Sequence, residues 1–400
     1  MKIGINKIGF STSHLYVDMK KLAFARNEDP NKYLIGIGQS KMAVVPPSQD
    51  VVTMAANAAI RILTKEDRDR ISFVIFATES GIDNSKAAAV YLAHLLGLKN
   101  EIRAIELKQA CYGATAGIQL ARGFVALNPE NEVLVIAADN ARYGINTPGE
   151  PTQGGGAVAM LISQNPQILA LEEDSTAFTQ DIMDFWRPLG KTEAVVDGKY
   201  SKNTYLEFFE ETWQAYLDKT GYSLSDFAAL LFHLPYTKLG LKALQIALKD
   251  AQPSDTVRLA QEFEHARFFN SEVGNLYTGS LYLSLLSLLC NSEKTKAGQR
   301  IGLFSYGSGA EAEFYTGIIQ PDFKKGLAKV DYNRILNLRK EISVSDYEQL
   351  FKQHLFSVQE GAISYKEDPA PFFFSGVHDF KRQYEKRGKK PSPNIWDKNV

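Results

Sequence analysis

Short apolar runs alternate along this chain with longer stretches whose apolar positions recur at helical spacing. In the first part, the two periods predict strands at Ile71–Thr78, Ile102–Leu107, Glu132–Ala138 and Gly156–Ile162. Helices are predicted between them at Gln49–Leu63, Lys86–Leu96 and Tyr112–Leu127. The later part repeats the theme, with helices at Thr204–Lys219, Lys238–Leu248 and Asn275–Leu289 and strands at Ala228–Phe232, Arg300–Tyr306 and Ala312–Ile318. Met1–Phe10 alternates like a further strand. Past Pro321 the chain turns charged and aromatic, which predicts helical decoration and a mobile basic end over Lys381–Lys390. Strands that alternate with helices specify an α/β fold around a central sheet.

The order of elements repeats as well. Phe73–Ser80 and Phe227–Leu234 are both apolar strands that end in one polar group, and each runs into a helix. Cys111–Gly117 and Gly274–Ser280 both open a helix with small residues. The matching order predicts two related halves, although the residues themselves have diverged. A pseudo-twofold axis would bring Glu79, His233, Cys111 and Asn275 to one cleft at strand and helix ends, where α/β sheets bind ligands.

The 400 residues are 44% hydrophobic and 23% charged, which is ordinary globular composition and enough chain for two halves. Forty-five basic residues against 46 acidic ones give a net charge of -1, so no global field invites nucleic acid or an anionic membrane. Two cysteines form no disulfide framework, and the absence of C-x-x-C gives no sign of metal or redox chemistry. The N-terminus lacks a signal-peptide core, and the apolar run Leu281–Cys290 is too short to span a bilayer. A soluble cytoplasmic protein is expected.

Candidate chemistry centres on Cys111, placed where a strand hands over to a helix. A helix N-terminus favours thiolate and makes a nucleophile, whereas a small buried cysteine that only packs helix on sheet is the plainer alternative. Cys290, at the end of an apolar helix, is expected in the core. Glu79 ends a strand, where it either faces solvent or, in a closed pocket, has its pKa raised into the range of a proton shuttle. His233 leaves an apolar strand before Pro235 and is either a satisfied structural residue or an acid or hydrogen-bond donor. Phe304-Ser-Tyr-Gly-Ser-Gly309 closes a strand with a turn that is either plain or presents backbone N–H groups to an anion. Gly154–Gly156 would let backbones approach closely. Lys238 and Lys242 share a helix face, as a solvated pair or as a grip on a phosphate.

Taken together, Ile75–Ser80, Leu107–Gly113, Leu231–Tyr236, Gly274–Thr278 and Phe304–Gly309 closely resemble the 3-hydroxy-3-methylglutaryl-CoA synthase family. Tyr33–Met42 and Val196–Ser201 are similar to it too, and the length and short C-terminal region look like its bacterial branch. The resemblance implies a thiolase-like five-layer α-β-α-β-α fold built from two related halves, here 1–166 and 167–400, and a homodimer. It implies condensation of acetyl-CoA with acetoacetyl-CoA to give 3-hydroxy-3-methylglutaryl-CoA and CoA, a mevalonate-pathway step. Coenzyme A thioesters would be the substrates, with no permanently bound cofactor and no metal.

The resemblance also distributes roles. Cys111 would accept the acetyl group, Glu79 would act as general base and acid, and His233 would orient acetoacetyl-CoA. Backbone N–H groups at Cys111 and Ser308 would stabilise the enolate. Asn275, Ser308, Thr152 and Ser201 match substrate-contacting positions, Asp184 matches an acidic residue near the site, and Lys238 and Lys242 match lysines that face CoA phosphates. The loop Asn146–Pro151 departs from the pattern of animal members. Other condensing enzymes of this fold pair cysteine with two histidines or with histidine and asparagine, and a strand-end glutamate argues against them. A non-catalytic acyl-CoA binder would not need Cys111, Glu79 and His233 together. A cysteine hydrolase would not need duplicated halves.

Overall fold

The structure, a computed structural model, describes residues 1–327, 330–356, 359–364 and 366–388. The first half contains β1 (Ile3–Thr12), α1 (Val51–Ala59), β2 (Ile71–Ala77), α2 (Ala88–Leu96), β3 (Arg103–Leu107), α3 (Gly113–Leu127), β4 (Glu132–Ala141) and β5 (Gly154–Gln164). The second contains β6 (Leu169–Thr179), α4 (Gly198–Thr220), β7 (Phe227–Phe232), α5 (Thr237–Ala247), α6 (Pro253–Val273), α7 (Ser280–Asn291), β8 (Arg300–Gly307) and β9 (Glu311–Ile319). A C-terminal segment adds α8 (Val344–Phe356) and the hairpin β10 (Phe372–His378) and β11 (Lys381–Lys386).

Nine strands join in the order β7-β8-β9-β6-β1-β5-β4-β2-β3. The duplication is visible in this order. In the first half β2 is parallel to β4, and β4-β5 and β5-β1 are antiparallel. In the second half β7 is parallel to β8, and β8-β9 and β9-β6 are antiparallel. Among the nine strands described, only β3 lacks a counterpart. The halves meet in the sheet through a narrow joint, Gly4 opposite Ala170 and Ile5 opposite Leu169.

Period-two alternation sends each strand's side chains into two different cores. Val74 and Phe76 of β2 and Leu134 and Ile136 of β4 pack with α1 and α2 on one outer face. Ile75, Val133 and Val135, one position along, face an inner layer of α3, α6 and α7 that they share with Leu231, Ile301 and Leu303 of the second half. Leu230, Phe232, Phe304 and Phe314 face the other way, onto α4 and α5. Five layers result, and the two halves of the sheet, with helices between and outside them, match the expected α-β-α-β-α order.

Four expectations are corrected. A 21-residue helix, α6, fills a stretch for which no element is predicted; it starts at Pro253, a favoured first helical residue, and stops at Gly274 (φ +91°). The helix expected from Asn275 begins only at Ser280, because the Asn275 side chain accepts from Tyr277 N–H and Ser280 Oγ and the N–H of Thr278 goes to Asp139. The basic end, where described, is strand β11, held because Arg382 and Tyr384 both reach the buried Asp50 at 2.7 Å. Lys389 and Lys390 lie outside the described residues. A fourth correction concerns Cys290, which sits on the exposed side of α7 and not in the core.

Candidate active site

β2 and β3 are parallel neighbours with Ala77 opposite Leu107, so the loops that follow them leave the sheet side by side. One carries Glu79 and the other Cys111. The Cys111 backbone is left-handed (φ +55°), a conformation few non-glycine residues hold without support. Support comes from Glu79. Its Oε1 accepts the Cys111 N–H at 2.9 Å and lies 3.4 Å from Sγ.

This contact reverses the expected thiolate. Burial pushes the Cys111 thiol well above its ordinary pKa, and the charges of Glu79, Asp139 and Asp184 push in the same direction. The start of α3 does not compensate. Gly113 is two residues further on, and the one N–H at Cys111 is spent on Glu79. Burial and then Asp139 raise the Glu79 carboxyl to about 8, against the opposing pull of Arg187. At neutral pH the resting pair is a protonated thiol beside a carboxyl that is itself mostly neutral and can take the thiol proton only as carboxylate.

Asp139 holds this arrangement from behind. It extends β4 past its apolar stretch and is fully buried. Oδ1 accepts from Thr78 Oγ1 (2.9 Å), Glu79 N–H (2.9 Å), Ser80 N–H (3.0 Å) and Ser80 Oγ (2.8 Å). Oδ2 accepts from Thr278 N–H (3.1 Å) and Thr278 Oγ1 (2.5 Å). One carboxylate therefore ties the Glu79 loop to the start of α7, across the two halves. Arg187 adds a hydrogen bond to the Glu79 carbonyl.

The second half contributes from corresponding positions. His233 follows β7 directly, and its N–H bonds Phe304 O at 2.8 Å, which places it beside the end of β8. It is 1% exposed, neither ring nitrogen has a partner among the described residues, and burial pulls its pKa down to about 3. The imidazole is therefore neutral, which corrects the expectation of an acid and leaves hydrogen bonding. β8 then runs under the cysteine loop: a Cβ on Gly307 would lie 1.8 Å from Ala110 O and 2.8 Å from Tyr112 Cβ. Only glycine permits that approach.

Asp184 is buried on the same side. Oδ2 accepts from Ser201 Oγ (2.9 Å) and Tyr306 OH (2.8 Å), and Oδ1 from Gly309 N–H (2.8 Å). Ser201, Asp184 and the Gly307–Gly309 turn are thus one cluster. Ser308 is half-buried, with its carbonyl 3.3 Å from Gln109 Nε2, next to the cysteine loop. Asn275 is buried against Gly154, where a Cβ would meet its backbone N and O at 2.7 Å, as the close-approach reading of Gly154–Gly156 expects.

Thr152 stands apart: its hydroxyl bonds Gly149 O within its own turn at 2.8 Å, and only its neighbour Gln153 abuts Gly274. Lys238 and Lys242 lie half-buried on α5, and no ion pair claims either among the described residues. The sequence reading missed Asp139, Arg187 and the aromatic wall of Tyr143, Tyr277 and Phe185, whose rings meet edge-on at 5.8–6.1 Å beside Cys111. For Asp139 a signal existed, since it ends an apolar strand in the manner of Glu79.

Residues 1–167 match the family described as hydroxymethylglutaryl-coenzyme A synthase N terminal, and residues 169–262 and 254–387 match its C-terminal counterpart. The chain belongs to the hydroxymethylglutaryl-CoA synthase family. It is similar to the hydroxymethylglutaryl-CoA synthase of Enterococcus faecalis, 50% identical over 96% of this chain and 100% of the relative. Among solved structures, an HMG-CoA synthase complexed with CoA superposes with a TM-score of 0.93 at 44% identity, covering 96% of this chain and 100% of the other. MvaS in complex with 3-hydroxy-3-methylglutaryl coenzyme A gives 0.87 at 36% identity, covering 96% and 99%. These likenesses extend the thiolase-like fold of the family to this chain.

Proposed function

We propose that this chain condenses acetyl-CoA with acetoacetyl-CoA and water to give 3-hydroxy-3-methylglutaryl-CoA and CoA, through an acetyl thioester on Cys111. The observation that carries the residue assignment is the single Glu79 oxygen shared by the Cys111 N–H and Sγ. Glu79 takes the thiol proton as sulfur attacks the acetyl carbonyl, then returns it to the departing CoA thiolate. The regenerated carboxylate removes a methyl proton from acetyl-Cys111. The enolate attacks the ketone carbon of acetoacetyl-CoA, and Glu79 gives the proton to the new alkoxide. Water then cleaves the thioester, which frees the product carboxylate and restores the thiol.

Neutral His233 donates a ring N–H to an acceptor oxygen of acetoacetyl-CoA. The Cys111 N–H stabilises a thioester oxyanion once Glu79 releases it, alongside the backbone at Ser308. Asn275, Asp184 and Ser201 shape the acyl pocket with Thr152 at its edge. Lys238 and Lys242, which have no carboxylate partner among the described residues, receive CoA phosphates. The functional halves divide at 1–166 and 167–400, and the protein works in the cytoplasm as a homodimer.

Incubation with acetyl-CoA followed by peptide mass mapping tests the assignment. Acetylation of the Cys111 peptide, lost in Cys111→Ser, is expected. Glu79→Gln is expected to lower condensation by about 10²- to 10⁴-fold, the range of a lost general base. Condensation by Glu79→Gln at the wild-type rate would remove Glu79 from the mechanism.

A further inference from the structure

The C-terminal helix α8 touches no reacting group, yet it holds the loop that does. Tyr347 OH accepts from Gln153 Nε2 at 2.8 Å and faces Glu150 Oε1 at 3.1 Å, to which it donates. Gln153 spends its Oε1 on the backbone N–H groups of Tyr143 (2.8 Å) and Gly144 (3.3 Å). Glu150 is 1% exposed and also accepts from Arg26 Nε (2.8 Å), Arg26 Nη2 (2.7 Å) and Asn146 N–H (3.1 Å). Arg26 returns to α8 through Glu348 at 2.8 Å. One turn on, Phe351 lies 3.7 Å beneath the Arg142 guanidinium and accepts from it through its carbonyl at 3.0 Å.

These contacts converge on Arg142–Gly144, whose central residue supplies an aromatic ring beside Cys111. The Tyr143 ring stands edge-on to Phe185 and Tyr277, and all three pack in the cluster that contains Cys111 and Ala110. Its orientation follows from its backbone, and its backbone is held by Gln153. A hydrogen-bonded path thus runs from the Tyr347 hydroxyl through the Gln153 amide to the wall of the nucleophile's pocket. Tyr347 and Gln153 are both buried, and the Tyr347 hydroxyl and both ends of the Gln153 amide have partners, which gives the path one geometry.

We propose that α8 is a brace for the acyl pocket and that Tyr347 is a positioning residue, acting on the chemistry through Gln153 and Tyr143. The proposal rests on Cys111 and Glu79 as the reacting pair. The lysines taken to hold CoA lie on α5, outside this path, so its loss falls on the chemical step and not on substrate capture.

The test is steady-state kinetics, thermal melting and Cys111 acetylation on the full chain, for Tyr347→Phe, Gln153→Ala and the double variant. Leu22→Ala, buried in the same satellite core as Tyr347, controls for general loosening. Tyr347→Phe is expected to lower kcat about tenfold with both KM values within about twofold, because small misplacements of reacting groups are amplified in rate. Leu22→Ala is expected to melt at the same temperature or lower and to keep its kcat. The double variant is expected to be no slower than Gln153→Ala alone, since both changes cut one path. Wild-type kcat in Tyr347→Phe, an equal loss in Leu22→Ala, or additive losses in the double variant would overturn the brace while acetylation of Cys111 stays normal. Turnover by the wild type without acetyl-Cys111 would overturn the reacting pair and the brace with it.

Discussion

Cys111 and Glu79 share one oxygen, and neither is easily charged in the resting protein. Their pKa shifts make the pH response a sharp test. The carboxylate is the working form of Glu79, and its population grows as pH rises through about 8. Acetyl transfer should therefore climb on the acid side and level off above that midpoint. Arg187 favours the carboxylate, so Arg187→Met should move the midpoint to higher pH; single-turnover acetylation from about pH 6 to 10 reads this directly. A midpoint that stays put would mean that another group sets it. His233, held near 3 by burial, should add no inflection in that range. At this scale the sequence was legible for residues whose chemistry is rare, one of two thiols or a strand-end carboxylate. It was silent on Asp139's role, because six hydrogen bonds from two halves of the chain appear only once the chain is folded.

Among the elements, β8 shows how a strand end builds a site. Gly307 lets β8 slide beneath Ala110 and Tyr112, and a methyl group there collides with backbone, which cannot rotate away. Gly307→Ala should abolish acetylation of Cys111 and lower the melting temperature; an acetylated, wild-type-stable variant would show that the cysteine loop can shift without consequence. Strand periodicity located most strands of the sheet, since two-sided burial leaves long apolar runs, but it missed β6, whose later residues are charged and only half-buried. It failed for α6, whose outward faces are charged and whose buried stripe includes Asn270, Ser271 and Glu272. The C-terminal hairpin was hidden for a related reason. Its basic residues look solvated in sequence, and only the buried Asp50 makes a strand of them.

For the whole molecule, the repeated order of strands and helices was readable because the two halves keep the same pairing even where residues differ. What could not be read is that β3 has no partner in the second half. β3 is left as the outer strand of the sheet, half-exposed, immediately before the cysteine loop. Such an edge invites pairing with another chain. Light scattering should give twice the mass of one chain, with slow hydrogen exchange at Arg103–Leu107. A single-chain mass would rule out the homodimer, and fast exchange in a two-chain species would move the contact elsewhere.

The raised thiol pKa has a consequence beyond turnover. Oxidants and alkylating agents attack thiolate, and a cysteine kept protonated by burial and three nearby carboxyl groups offers them little. The site is quiet until an acyl donor arrives beside sulfur and Glu79 takes its proton. The same carboxyl that begins the chemistry therefore acts as the safety catch on the nucleophile.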